Sequence, residues 1–147
     1  MAIIDSKLEF SDAQSLVASA SAVTVSTNVV DFSTLKDGWG AAITPDIGEG
    51  GDLEFNVLID TAIAVAGSSG TVSITLVSKA GDASISSGAT THVTISAAEA
   101  AAAGTKYHAY VPAGTINRYV GVLYTGSGAV TAGNANAFVN LDHETAV

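Results

Sequence analysis

The run LEFNVLID, Leu53 to Asp60, sets Leu53, Phe55, Val57 and Ile59 against Glu54, Asn56, Leu58 and Asp60. Successive side chains leave a β-strand on opposite sides, so this period of two predicts a strand with one buried face. TVSITLVSK, from Thr71, repeats the pattern with Val72, Ile74 and Leu76 against Thr71, Ser73 and Thr75. GSSG, Gly67 to Gly70, separates the two runs and reads as a turn, so together they are predicted to form a hairpin. HVTIS from His92 is a further short strand, and KYHAYVP sends Tyr107, Ala109 and Val111 to one face with His108 and Tyr110 on the other. RYVGVLYT, Arg118 to Thr125, is apolar on both faces, as a central strand covered on both sides is. PAGTIN, Pro112 to Asn117, turns one strand into the next, and TGSGAV and TAGNAN supply further turn chemistry before AFVNLD, Ala137 to Asp142, closes the series.

No stretch sustains a period of 3.6. The best helical candidate is SAAEAAAAG, where Ser96 and Glu99 have capping-box spacing and Gly104 can end one or two turns. Seven or so strands with turn signals at short intervals predict an all-β protein, an antiparallel jelly roll or β-sandwich with an extended N-terminal segment and at most one short helix. A chain of 147 residues is the size of one domain, divided here into residues 1–22 as an N-terminal arm or first strand and residues 23–147 as a single sandwich.

The opening segment, SDAQSLVASASAVTVSTNVVDF, Ser11 to Phe32, is made largely of small side chains. Such residues remove little apolar area from water at about 25 cal/mol per Å² and contribute little to a private core. Ser11 and Gln14 have the spacing of a capped turn. ASASAVTVST beyond them, if extended, presents a low ridge of Ala and Val on one face and a row of hydroxyls on the other. Two readings stay open: an ordinary first strand, or a flat ribbon suited to lie against a second protein surface.

The charge balance narrows the partners. Five Lys and Arg against 14 Asp and Glu leave a net charge of -9, which argues against nucleic acid and against anionic membrane surfaces. Cysteine is absent, so stability comes from packing or assembly rather than from disulfides or thiolate metal sites. No apolar run is long enough for a helical membrane span. Asp5 stands where a secretory signal carries basic residues, and alternating serine interrupts the later LVASASAV, so no export signal is read. Asn28, Asn56, Asn117, Asn134, Asn136 and Asn140 all lack the hydroxyl of a glycosylation sequon.

Catalytic motifs are equally scarce. There is no Gly-x-Ser-x-Gly elbow, and His92, His108 and His143 have no metal-binding spacing. The densest acidic cluster, Asp46, Glu49, Asp52 and Glu54 in DIGEGGDLE, offers oxygen ligands to calcium but matches no calcium-loop spacing, leaving a solvated loop as the other reading. Gly126-Ser127-Gly128 lacks the third glycine of a dinucleotide fingerprint. Trp39, the single tryptophan, stands between Gly38 and Gly40, either as an exposed anchor for a partner or as a plug over one end of the sandwich. No cofactor and no enzymatic activity are expected from these residues.

SDAQSLVASASAVTVSTNVVDF, then DIGEGGDLEFNVLIDTA, then AAAAGTKYHAYVPAGTINRYVGVLYTGSGAVTAGNANAFV resemble, in order from about Leu8 to Asp142, the capsid cement (decoration) proteins of tailed bacteriophages of the Bordetella-phage type. The most specific pieces are SDAQ with STNVVD downstream, and the passage from RYVGVLYT to GAVTAG. The resemblance implies a homotrimer on the outer surface of an icosahedral phage head, assembled in the host cytoplasm and bound to the major capsid protein so as to stabilise contacts between capsomers. It implies a trimer or capsid interface in the N-terminal portion, for which Phe10, Gln14, Leu16, Val17, Val23 and Val25 are the candidates, with Trp39 beside them. The chain departs from the family pattern in a longer insert, Ser33 to Pro45. The alternative is a β-sandwich module that binds carbohydrate or protein, against which one Trp and four Tyr are few.

Overall fold

The computed structural model describes residues 8–32, 38–41, 53–66 and 70–141. Among them are nine strands and no helix: β1 (Glu9–Ser15), β2 (Val23–Val25), β3 (Val30–Asp31), β4 (Leu53–Val65), β5 (Thr71–Lys79), β6 (Thr90–Ala98), β7 (Lys106–Tyr110), β8 (Tyr119–Gly126) and β9 (Val130–Leu141). One sheet runs β1-β9-β4-β7 and the other β2-β8-β5-β6, with β3 also pairing β8; every pairing is antiparallel. The protein is an all-β sandwich, the arrangement in which two one-sided sheets bury each other's apolar face.

The alternating residues meet between the sheets as their period requires. Phe55, Val57 and Ile59 of β4 and Ala135, Ala137 and Val139 of β9 face Val72, Ile74 and Leu76 of β5 and Val120, Val122 and Tyr124 of β8, all buried. The outer face of the β8 sheet is covered in part by Ile85, fully buried, whose side chain lies where a Cβ on Gly121 would stand. This explains the apolar residues on both faces of β8.

Three expectations are corrected. β4 and β5 do not form a hairpin, because β4 lies between β9 and β7 in one sheet and β5 between β8 and β6 in the other. Both are central strands, and β4 stays paired with β9 through its register shifts beyond Ile59 as far as Val65. SAAEAAAAG is not helical: Ser96 to Ala98 complete β6, pairing with Ser73, Val72 and Thr71, and only a turn follows. Alanine's helix preference is here overridden by the buried positions of Ala97 and Ala101 in the core. TAGNAN is not a turn but the middle of β9, where Gly133 (φ 132°) packs over Ile63 and the reversal is confined to Ser127–Ala129.

Candidate interaction surface

The N-terminal segment supplies edge strands to both sheets. β1 lines the edge of one sheet beside β9, and β2 and β3 line the edge of the other beside β8. The strands between and around them are tied by hydrogen bonds that begin in the core. The Tyr124 hydroxyl donates to Ser11 Oγ (2.8 Å), Ser11 Oγ donates to Gln14 Oε1 (2.6 Å), and the same oxygen accepts the Thr27 N–H (2.9 Å). Gln14 Nε2 donates to the Val25 carbonyl (2.7 Å). Asn28 reaches back with its N–H to the Phe10 carbonyl (2.9 Å) and with its side chain to the Glu9 carbonyl (3.1 Å). Ser26 Oγ accepts the Val122 N–H (3.0 Å) and donates to the Asn28 carbonyl (2.8 Å).

SDAQ and STN are thus partners across a seam between the sheets. Ser11 and Ser26 are buried, and among the described residues no buried side-chain polar atom lacks a hydrogen-bond partner. The Ser11–Gln14 spacing does bring those two side chains together, but within a bulged strand rather than a helical cap. β1 shifts register against β9 on either side of Ser11, and Ala13 takes up a left-handed φ of 44° with its N–H on Asn136 Oδ1. Burial pushes the Tyr124 hydroxyl up to about 12, partly countered by its bond to Ser11.

The seven candidate interface residues fall into distinct places. Phe10 and Leu16 are core side chains of this protomer, each 2% exposed. Gln14 and Val25 are half-buried in the seam. Val17 and Val23 are exposed, at 56% and 44%, and their neighbours flank the β8–β9 turn: Ala18 bridges Val130, and Val23 pairs Thr125. Trp39 is 96% exposed, so it is not a plug over the sandwich. The outward apolar surface of the set therefore consists of Val17, Val23 and Trp39. At the turn itself, Gly128 lies so close to the Ala66 carbonyl that a Cβ would stand 2.4 Å from its oxygen, which accounts for glycine in GSG on steric grounds.

Asp46, Glu49, Asp52 and His143 lie outside the described residues. Glu54 is half-buried, 4.0 Å from His108 Nε2 and bonded by Asn56 Nδ2 at 3.2 Å. Arg118 holds Asp31 through two parallel bonds of 2.8 and 3.0 Å and lies 4.6 Å over the Tyr119 ring, tying β3 to the start of β8. Sequence spacing did not foretell one pair, Ser78 Oγ and His92 Nε2 at 2.6 Å, which the β5–β6 pairing brings together. Ser78 is fully buried and its oxygen already accepts the Asn117 N–H (3.0 Å), so an incoming substrate cannot reach it. Desolvation lowers the His92 pKa, favouring the neutral ring beside this hydroxyl. A cavity of about 80 Å³ lies between the sheets at the end marked by Phe10, Phe32, Leu53, Val111 and Ile116; its lining is wholly apolar and offers no group to orient a polar ligand.

A comparison with curated proteins finds no match. The profile of the Bbp16 family matches residues 10–139, which spans β1 to β9 and includes both halves of the seam. Bbp16 is a family of Bordetella phage, and membership marks the protein as a phage structural protein. With the match covering nearly the whole sandwich, the chain belongs to the Bbp16 family.

Proposed function

We propose that this protein is a capsid decoration, or cement, protein that forms a homotrimer on the outer surface of an icosahedral phage head and stabilises contacts between capsomers, with the major capsid protein as its partner. The observation that carries the reading is the family match over residues 10–139 of a sandwich on whose surface, rather than in a cleft, stand the exposed candidates Val17, Val23 and Trp39. A decoration protein works by binding only the assembled shell, which it stabilises by mass action, and many modest contacts held at once give a firm hold. It needs neither cofactor nor reacting group. The net charge of -9 keeps decorated particles from adhering to nucleic acid.

The test is co-sedimentation with undecorated heads of the phage that encodes the protein. Wild type is expected to pellet with the heads and raise the temperature at which they burst. Val17→Lys, Val23→Lys and Trp39→Ala, all at exposed positions, are expected to fold normally and to pellet at least tenfold less. Failure of the wild type to bind any such head refutes the reading.

A further inference from the structure

The register of the β2-β8-β5-β6 sheet sets its outward side chains in straight rows. Successive side chains of a strand alternate between the two faces, and residues directly opposite in antiparallel neighbours share a face. Val122, Tyr124, Val72, Ile74 and Ile95 point into the core, so the residues between them point out. Val25, Leu123, Thr75 and Thr94 form one row across the four strands. Val23, Thr125, Ser73 and Ser96 form the next. All eight are half-buried or exposed, and neither row holds a charge or an aromatic ring.

One end of this face is covered by the chain itself. The β5–β6 loop folds back over Gly121 and buries Ile85 there, fastened by Lys79, whose Nζ donates to the Ser84 carbonyl (2.9 Å) and lies 3.2 Å from Asp82. The charges of this sheet are thus gathered at that end, beyond the two neutral rows. The outer face of the other sheet has a different chemistry. Glu54, Lys106 and His108 stand on it, with Glu54 4.0 Å from His108 Nε2.

We infer that these two rows are the surface that the protein lays against the assembled phage head, an inference that rests on the decoration role above. The occupant is a flat, uncharged stretch of shell protein. Charge narrows the choice first: on a chain of net charge -9, a face without Asp or Glu admits a neutral or acidic protein surface without like-charge repulsion. A face without Lys or Arg offers nothing to a phosphate or an anionic headgroup. A face without aromatic rings offers no stacking platform to a glycan. Area narrows it further. Four strands about 4.8 Å apart and two outward positions about 6.8 Å apart along each give roughly 250–300 Å². A stable two-body contact uses about 800 Å² per partner, so this face does not hold a lone molecule in solution. It serves where several copies engage one particle at once. Val23, exposed within the face, makes it continuous with the candidates of the proposed function.

The experiment is co-sedimentation of the full chain with undecorated heads, with circular dichroism and equilibrium mass measured on every variant. Ser73→Glu and Ser73→Arg place either sign of charge at the centre of the face, and Lys106→Glu alters the outer face of the other sheet. Lys106→Glu is expected to bind within twofold of wild type, and both Ser73 variants at least tenfold more weakly with fold and mass unchanged. Wild-type binding by the Ser73 variants overturns the inference and leaves the decoration role standing. Loss with only one sign of charge marks a charged partner surface and overturns it too, as does a tenfold loss in Lys106→Glu. A lowered mass in the Ser73 variants assigns the face to another copy of the chain, which also overturns it. Should a Ser73 variant fail to fold, Thr94→Glu and Thr94→Arg, at an exposed position of the same face, decide by the same criteria. Failure of the wild type to bind any head removes the decoration role, and this contact with it.

Discussion

Replacing Ser11 by alanine tests whether the seam is an energetic unit. Ser11 Oγ accepts from Tyr124 and donates to Gln14, and it is fully buried. Ser11→Ala removes these bonds, worth about 0.5–1.5 kcal/mol each, and strands the Tyr124 hydroxyl in the core, where a buried donor without an acceptor costs about 1–3 kcal/mol. A total of about 2–3 kcal/mol follows, since Gln14 keeps its bonds to Thr27 and Val25 and recovers part of the loss. Tyr124→Phe keeps the ring and its packing and loses one bond, about 1 kcal/mol. In the double variant no hydroxyl is stranded, so its loss falls short of the summed single losses by about 1 kcal/mol or more. Urea unfolding followed by tryptophan-independent circular dichroism gives all four corners of the cycle, with the m-value expected to hold constant. Ser19→Ala, at an exposed hydroxyl, is the control and changes stability by less than about 0.5 kcal/mol. If Ser11→Ala matches that control, or the cycle is additive within about 0.5 kcal/mol, the seam does not hold the sheets together as argued.

Two titrations follow from the same structure. Tyr124 is raised to about 12 from 10.0, so its contribution is complete below pH 10 and is lost as pH rises through 12, on the order of 3 kcal/mol; wild type is expected to lose urea resistance across that window relative to Tyr124→Phe, and parallel curves would refute it. His92 is lowered by desolvation, so its contribution is present above the ordinary histidine range and is lost as pH falls through the depressed folded value; the urea midpoint of wild type should drop in mild acid while that of His92→Gln stays level, and equal drops in both would count against the burial of His92 as the cause.

Strand identity was largely legible in the chain because burial on one face writes a period of two into the residues. LEFNVLID, TVSITLVSK, KYHAY and RYVGVLYT occupy β4, β5, β7 and β8, and the two-sided apolar character of RYVGVLYT matches a strand covered by Ile85 on its outer side. Strand partners were not legible. Adjacent strands separated by GSSG look like a hairpin from local signals alone, yet each has its neighbours elsewhere in the chain, β9 and β7 for β4, β8 and β6 for β5. TAGNAN carries turn residues but sits in β9, where Asn136 caps the bulge at Ala13 and Gly133 makes room for Ile63; these roles exist only after distant strands meet. The same holds for the candidate surface. Phe10, Leu16, Val17 and Val23 look alike as apolar residues in a small-residue ribbon, and only the direction in which β1 and β2 present them separates core from surface.

The amino-acid order by itself determined that this chain makes strands, that its apolar faces demand a second sheet and that its charge is strongly negative, because periodicity and charge are local properties. Tertiary structure alone decided that SDAQ and STN are hydrogen-bond partners, that Ser78 meets His92, that Trp39 stands outward and that, among the described residues, β6 ends its sheet. Each of these depends on which strands become neighbours, and that choice is made by burying all the apolar faces at once rather than by any one stretch of residues.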